Sequence, residues 1–199
     1  MGSTASKAPR PFLERDDVDK LFGSAAVDAA ALAGANEVFP RVYVGDISAA
    51  LDPDSYVRFE FTHVVSCLEP AVRDVLVSNA KTAAQQAAVR VALGQWLALD
   101  FDDTDDTALA PHVARASPFI TAALRQPRSR VLIHCAAGVS RSVSIVVAFL
   151  VLEHGLAARA ALDRVQAGRP IANPNAGFRR QLLALERRRP RGVGMAAWV

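Results

Sequence analysis

Two textures divide the chain. From Val38 onward, short β-branched runs recur at 41–44, 62–67, 96–99 and 131–134, and each reads as a strand. Between and after them, apolar positions return at helical spacing over 54–59, roughly 71–93, 110–125, 141–153, 157–167 and 175–188. Strands interleaved with helices predict an α/β fold, a central mostly parallel sheet of about five strands flanked by helices. The continuously apolar Val131-Leu132-Ile133 is what a strand buried on both faces requires. Residues 1 to about 35 show no sustained alternation, and only 18–32 has a helix-compatible pattern. The predicted organisation is an N-terminal appendage over 1–36, a catalytic domain over 37–188 and a tail over 189–199.

Composition narrows the class. At 199 residues, 51% hydrophobic and 22% charged, the chain suits one globular domain with short tails. The net charge of +3 is concentrated in late arginines (Arg179, Arg180, Arg187, Arg188, Arg189, Arg191), too local for a nucleic-acid-binding face. The longest apolar run, 143–152, is too short for a membrane span. Two cysteines, Cys67 and Cys135, and no signal-like apolar stretch point to a reducing setting, cytoplasmic with the nucleus as alternative. The opening Met1-Gly2-Ser3-Thr4-Ala5-Ser6 fits an N-myristoylation pattern, which would make Gly2 a weak lipid anchor and the protein membrane-peripheral; a plain tail fits the same residues.

The chemistry concentrates at His134-Cys135-Ala136-Ala137-Gly138-Val139-Ser140-Arg141-Ser142. A loop of small residues lets successive backbone N–H groups turn inward as an anion nest, and the helix that follows points its positive end at the same place. Ala136, Ala137, Gly138, Val139, Ser140 and Arg141 are therefore the predicted phosphate-binding residues. Arg141 brings a planar fork of donors that matches two phosphate oxygens. In that environment Cys135 is expected as a thiolate nucleophile rather than an inert core cysteine, giving a cysteinyl-phosphate intermediate. Ser142 is placed to donate to the sulfur, and His134 to orient the loop from behind. The leaving oxygen needs a proton from a carboxylic acid on a nearby loop, and Asp100, Asp102, Asp103, Asp105 and Asp106 are candidates.

The loop resembles the active-site loop of the dual-specificity protein phosphatases. Three further passages agree: 39–45 resembles the family's opening strand, 62–65 its second, and Asn173-Pro174-Asn175-Ala176-Gly177-Phe178-Arg179-Arg180-Gln181-Leu182 its late helix signature. The resemblance implies a protein-tyrosine-phosphatase-like fold over about 37–188. It also implies a general acid some thirty residues before the cysteine and six before a leucine, which selects Asp103, with Leu109 following. Some relatives bind a second phosphate at the position of Arg169; Asn173 and Asn175 are expected to brace the loop.

No lysine stands between Cys135 and Arg141, which favours a phosphoprotein substrate, with phosphotyrosine and phosphoserine or phosphothreonine both admitted, over a polyphosphorylated inositol. No cofactor or metal is expected. Two alternatives are a catalytically idle phosphopeptide-binding module on this fold and a phosphatase of a non-protein ester. Cys67 reads as a core thiol, with a resolving partner for Cys135 as the alternative. The oligomeric state is not legible.

Overall fold

The computed structural model describes residues 34–188. The predicted helix over 18–32, the Gly2 pattern and the basic tail lie outside those residues. The elements run β1 (Ala35–Phe39), β2 (Val42–Gly45), α1 (Ile47–Leu51), α2 (Pro53–Phe59), β3 (His63–Ser66), α3 (Ala71–Asn79), α4 (Ala83–Leu93), β4 (Trp96–Ala98), α5 (Ala110–Leu124), β5 (Val131–His134), α6 (Arg141–Glu153), α7 (Ala158–Gly168) and α8 (Ala176–Arg188). The sheet has five strands in the order β1-β2-β5-β3-β4; β1 pairs antiparallel with β2 and every other pair is parallel.

Strand alternation sorts the core into two layers. Val42, Val44, Val65, Val131 and Ile133 face a cluster built with α5 to α8, including Val113, Ile120, Phe149 and Leu182. Tyr43, Val64 and Leu132 face the opposite cluster, with Tyr56, Phe61, Leu76 and Val89. Helix α6 is buried from Ser142 through Val151. A helix apolar on all sides sits inside the molecule, and this burial fixes α6 directly behind the loop that precedes it.

Three elements differ from the pattern-based expectation. The passage 39–45 is a tight hairpin rather than one strand: β1 ends at Phe39, Arg41 turns with φ 64, and β2 follows. Ala35 and Asn36, assigned above to the appendage, belong to β1. The long helix expected over 71–93 is two helices. Thr82 restarts the chain with a capping box, its hydroxyl accepting from the Gln85 N–H at 3.2 Å while the Gln85 side-chain oxygen accepts from the Thr82 N–H at 3.0 Å. Helix α1, not anticipated, is capped by Asp46, whose carboxylate accepts from the Ala49 N–H at 2.9 Å.

Candidate active site

β5 delivers Cys135 at the carboxyl edge of the sheet, where ligands gather in open α/β folds. Between it and α6, the loop carbonyls all find protein donors on the outside. Ala136 O accepts from the Ile47 N–H at 3.0 Å and Val139 O from the Asn173 N–H at 2.8 Å. Ala137 O and Gly138 O accept from the Arg169 guanidinium at 3.2 and 2.7 Å. Ser140 O accepts from the Ser144 N–H at 2.8 Å. Carbonyls turned out leave amides turned in. The N–H of Gly138 points at Cys135 Sγ from 3.2 Å, while those of Ala136, Ala137, Val139 and Ser140 meet no acceptor among the described residues.

Gly138 makes this turn with φ +65, a conformation that side chains disfavour. A Cβ there would also stand 2.5 Å from the Arg169 guanidinium and 2.7 Å from Gly45 O.

Ser142 Oγ lies 3.2 Å from Cys135 Sγ, on the first turn of α6. Arg141 anchors one terminal nitrogen on the carbonyls of Phe101 and Cys67, at 3.1 and 3.3 Å. Its Nε is buried without a hydrogen-bond partner and sits 3.7 Å from Asp103 Oδ2. Asp103 is thus brought to the loop, its Oδ1 accepting from Ser140 Oγ at 2.6 Å and from Asn175 Nδ2 at 2.9 Å. No such contact with the loop is made by Asp100, Asp102 or Asp106 among the described residues; Asp105 instead accepts from the Gly177 N–H at 3.1 Å.

Arg169, at the position where some relatives were expected to bind a second phosphate, turns inward onto the loop carbonyls. It is 0% exposed, and besides the two loop carbonyls its guanidinium donates to Gly34 O at 3.2 Å and Asn36 Oδ1 at 2.6 Å. Those partners sit more than a hundred residues away in sequence, so no local pattern announced them. Asn173 donates its backbone N–H to Val139 O, while its side chain accepts from Arg179. Asn175 reaches Ser140 on the loop and Asp103 together.

His134 is fully enclosed behind the loop, and its ring nitrogens have no hydrogen-bond partner among the described residues. Burial pushes its pKa down to about 4; the Cys135 backbone lies near enough to favour the charged ring weakly, though outside hydrogen-bond geometry. Its backbone continues the sheet pairing, His134 O accepting from the Cys67 N–H at 2.9 Å. Cys67 is buried in the core, and burial, then the negative potential of Cys135, pushes its thiol well up. Both cysteines are unbridged. Among the described residues, no cluster of side chains could hold a metal ion and no helix is long and apolar enough to cross a membrane.

Residues 42–188 match the model of the dual specificity phosphatase catalytic domain. The chain is 38% identical over 165 residues to mouse dual specificity protein phosphatase 13B, covering 83% of this chain and 79% of that one. It is 34% identical over 183 residues to human dual specificity protein phosphatase 26, covering 92% and 80%. Among solved structures, the Yvh1 phosphatase domain from Chaetomium thermophilum superposes with a TM-score of 0.64 at 27% identity, over 76% of this chain and 94% of that one. An inward-facing amide loop around a cysteine, an arginine behind it and relatives of this kind place the chain in the dual specificity phosphatase family, as a protein phosphatase whose catalytic domain takes in residues 42–188.

Proposed function

We propose that the chain hydrolyses phosphotyrosine and phosphoserine or phosphothreonine in proteins through a cysteinyl-phosphate intermediate. The observation that carries this reading is the division of the loop: carbonyls 136–140 all accept from the protein outside, leaving the amides free around Cys135. A phosphoryl group seated there takes those N–H donors and the Arg141 Nε, which has no hydrogen-bond partner among the described residues, at the positive end of α6.

Held in that geometry, the sulfur of Cys135 attacks phosphorus in line with the leaving oxygen, and the S–P bond forms as the P–O bond breaks. Asp103 gives its proton to the departing alkoxide or phenoxide. Water then attacks the cysteinyl phosphate, Asp103 takes a proton from it, and inorganic phosphate leaves. The Ser142 hydroxyl donates to the sulfur as it departs, so the thiolate is regenerated without passing through an unsolvated anion. Arg169 supports the loop by holding its carbonyls outward.

Phosphotyrosyl and phosphoseryl peptides assayed with the wild type beside Cys135→Ser provide the test. Vanadate-sensitive phosphate release by the wild type and none by the variant is the expected result. Binding of phosphopeptide without hydrolysis by the wild type would instead mark an idle module.

A further inference from the structure

The segment from Asp103 to Leu109 has no regular structure, and it is tied to one helix along its length. We propose that Asn175, Gly177 and Gln181, from the N-cap and body of α8, are positioning residues that latch the general-acid segment over the phosphate loop; this rests on the role of Asp103 given above.

The hydrogen-bond directions around Asp103 admit a single pattern. Asn175 caps α8, its side-chain oxygen accepting from the Phe178 N–H at 2.8 Å. That fixes which end of the amide is which, so Nδ2 is the group that faces Asp103 Oδ1. The Asn175 backbone N–H donates to Ser140 Oγ at 3.0 Å, which leaves the Ser140 hydroxyl hydrogen to donate to the same carboxylate oxygen. With Oδ1 held by two hydrogen-bond donors, Oδ2, which accepts no hydrogen bond among the described residues and stands 3.7 Å from the Arg141 Nε, is the oxygen left to carry the transferable proton. The Asp103 side chain is 34% exposed, so it remains open toward a bound ester.

The next contacts continue down the helix. The Gly177 N–H donates to Asp105 Oδ1 at 3.1 Å, and a Cβ on Gly177 would overlap the Asp105 carbonyl oxygen. The backbone therefore touches at a distance that no other residue permits. Gln181 then clasps the far end, its oxygen accepting from the Leu109 N–H at 2.7 Å and its nitrogen donating to Thr107 O at 2.8 Å. A dipolar side chain satisfying one donor and one acceptor of an irregular segment fixes that segment's path. Proton transfer needs the acid within hydrogen-bond reach of the leaving oxygen, so a latch of this kind acts on the chemical step rather than on phosphate binding.

Such residues have a signature that a purely structural role lacks. A misplaced general acid matters more the more basic the leaving group, because a weakly basic phenolate departs without help. The test is the single-turnover rate constant of phenolate release, which excludes the later water step in which Asp103 acts as base, across aryl phosphates from p-nitrophenyl to phenyl for the wild type, Asn175→Asp, Gln181→Leu, Asp103→Ala and the Asn175→Asp/Asp103→Ala pair. Asn175→Asp keeps the helix-capping oxygen and loses the donor, so helix stability is retained while the latch is broken.

Expected is a loss in that rate constant of about tenfold or more on phenyl phosphate, within the range a general acid supplies, with a much smaller loss on p-nitrophenyl phosphate and the half-saturating substrate concentration changed by less than about twofold. In the Asp103→Ala background, Asn175→Asp should add no further dependence on the leaving group. A uniform loss across the series, or losses that multiply in the pair, would overturn the latch while leaving Asp103 as acid. A series unaffected by Asp103→Ala itself would overturn both.

Discussion

The Arg169 guanidinium donates through Nε to the carbonyl of Gly138 at 2.7 Å, inside the molecule and behind the loop that joins β5 to α6. A buried arginine whose fork spans loop carbonyls, Gly34 O and Asn36 Oδ1 cannot be matched by lysine, which presents one compact ammonium. Arg169→Lys is expected to cost roughly 2–4 kcal/mol, from carbonyls left buried and unpaired. Urea unfolding measures that cost, and turnover should fall with it. A second-phosphate role predicts the reverse: stability unchanged and weaker binding of doubly phosphorylated peptides alone.

Gly138 allows that arginine to approach. Gly138→Ala pays on the order of 1–2 kcal/mol for the left-handed backbone and must also push Arg169 or Gly45 aside. Because the displaced peptide carries an amide that points at Cys135, kcat/KM should fall by about tenfold or more even where the variant folds. Circular dichroism beside steady-state kinetics on a small aryl phosphate separates the two effects.

Ser142 faces the sulfur at 3.2 Å, and its hydroxyl makes no hydrogen bond to Asp103 among the described residues. Its removal should therefore slow breakdown of the intermediate more than its formation. Ser142→Ala is expected to lower kcat by about tenfold to a hundredfold, the scale of losing one donor to a developing anion. Stopped-flow traces should then show a rapid burst of phenolate followed by slow turnover. Equal slowing of both phases would place the hydroxyl in a different step.

His134 links the loop to acid stability. Its ring is neutral when folded, with a pKa near 4, against about 6.5 when exposed. The folded state binds fewer protons between those values, so stability is fully present above pH about 6.5 and is lost as pH falls toward 4. The contribution is about 3 kcal/mol, from the size of that shift. Denaturant midpoints for the wild type and His134→Gln from pH 7.5 to 4 check it: the stability difference should move against the wild type by that amount as pH drops.

Legibility in the sequence followed how local the determining physics was. The strand at Val131–His134, the loop and α6 lie within a continuous stretch, so Cys135, Arg141 and Ser142 could be placed together from residue type and spacing. The capping box that splits 71–93 was also local, Thr82 with Gln85 three residues on, but the alanine-rich apolar spacing masked it. Strand β1 gave no alternation to read because its burial is mostly partial. The surroundings of Arg169 could not be read from pattern, since Gly34 and Asn36 approach it only once β1 has closed the sheet edge. Asn175 was expected at the loop; its grip on Asp103 depends on a cap geometry that only the folded helix defines.

Covalent capture of the phosphoryl group tests the central claim most directly. Enzyme quenched in acid during turnover of a phosphopeptide, digested and mass-analysed, should carry one phosphate on the peptide containing Cys135, with greater occupancy in Ser142→Ala and none in Cys135→Ser. Hydrolysis proceeding with no phosphorylated cysteine in Ser142→Ala, or with phosphate on another residue, would contradict it.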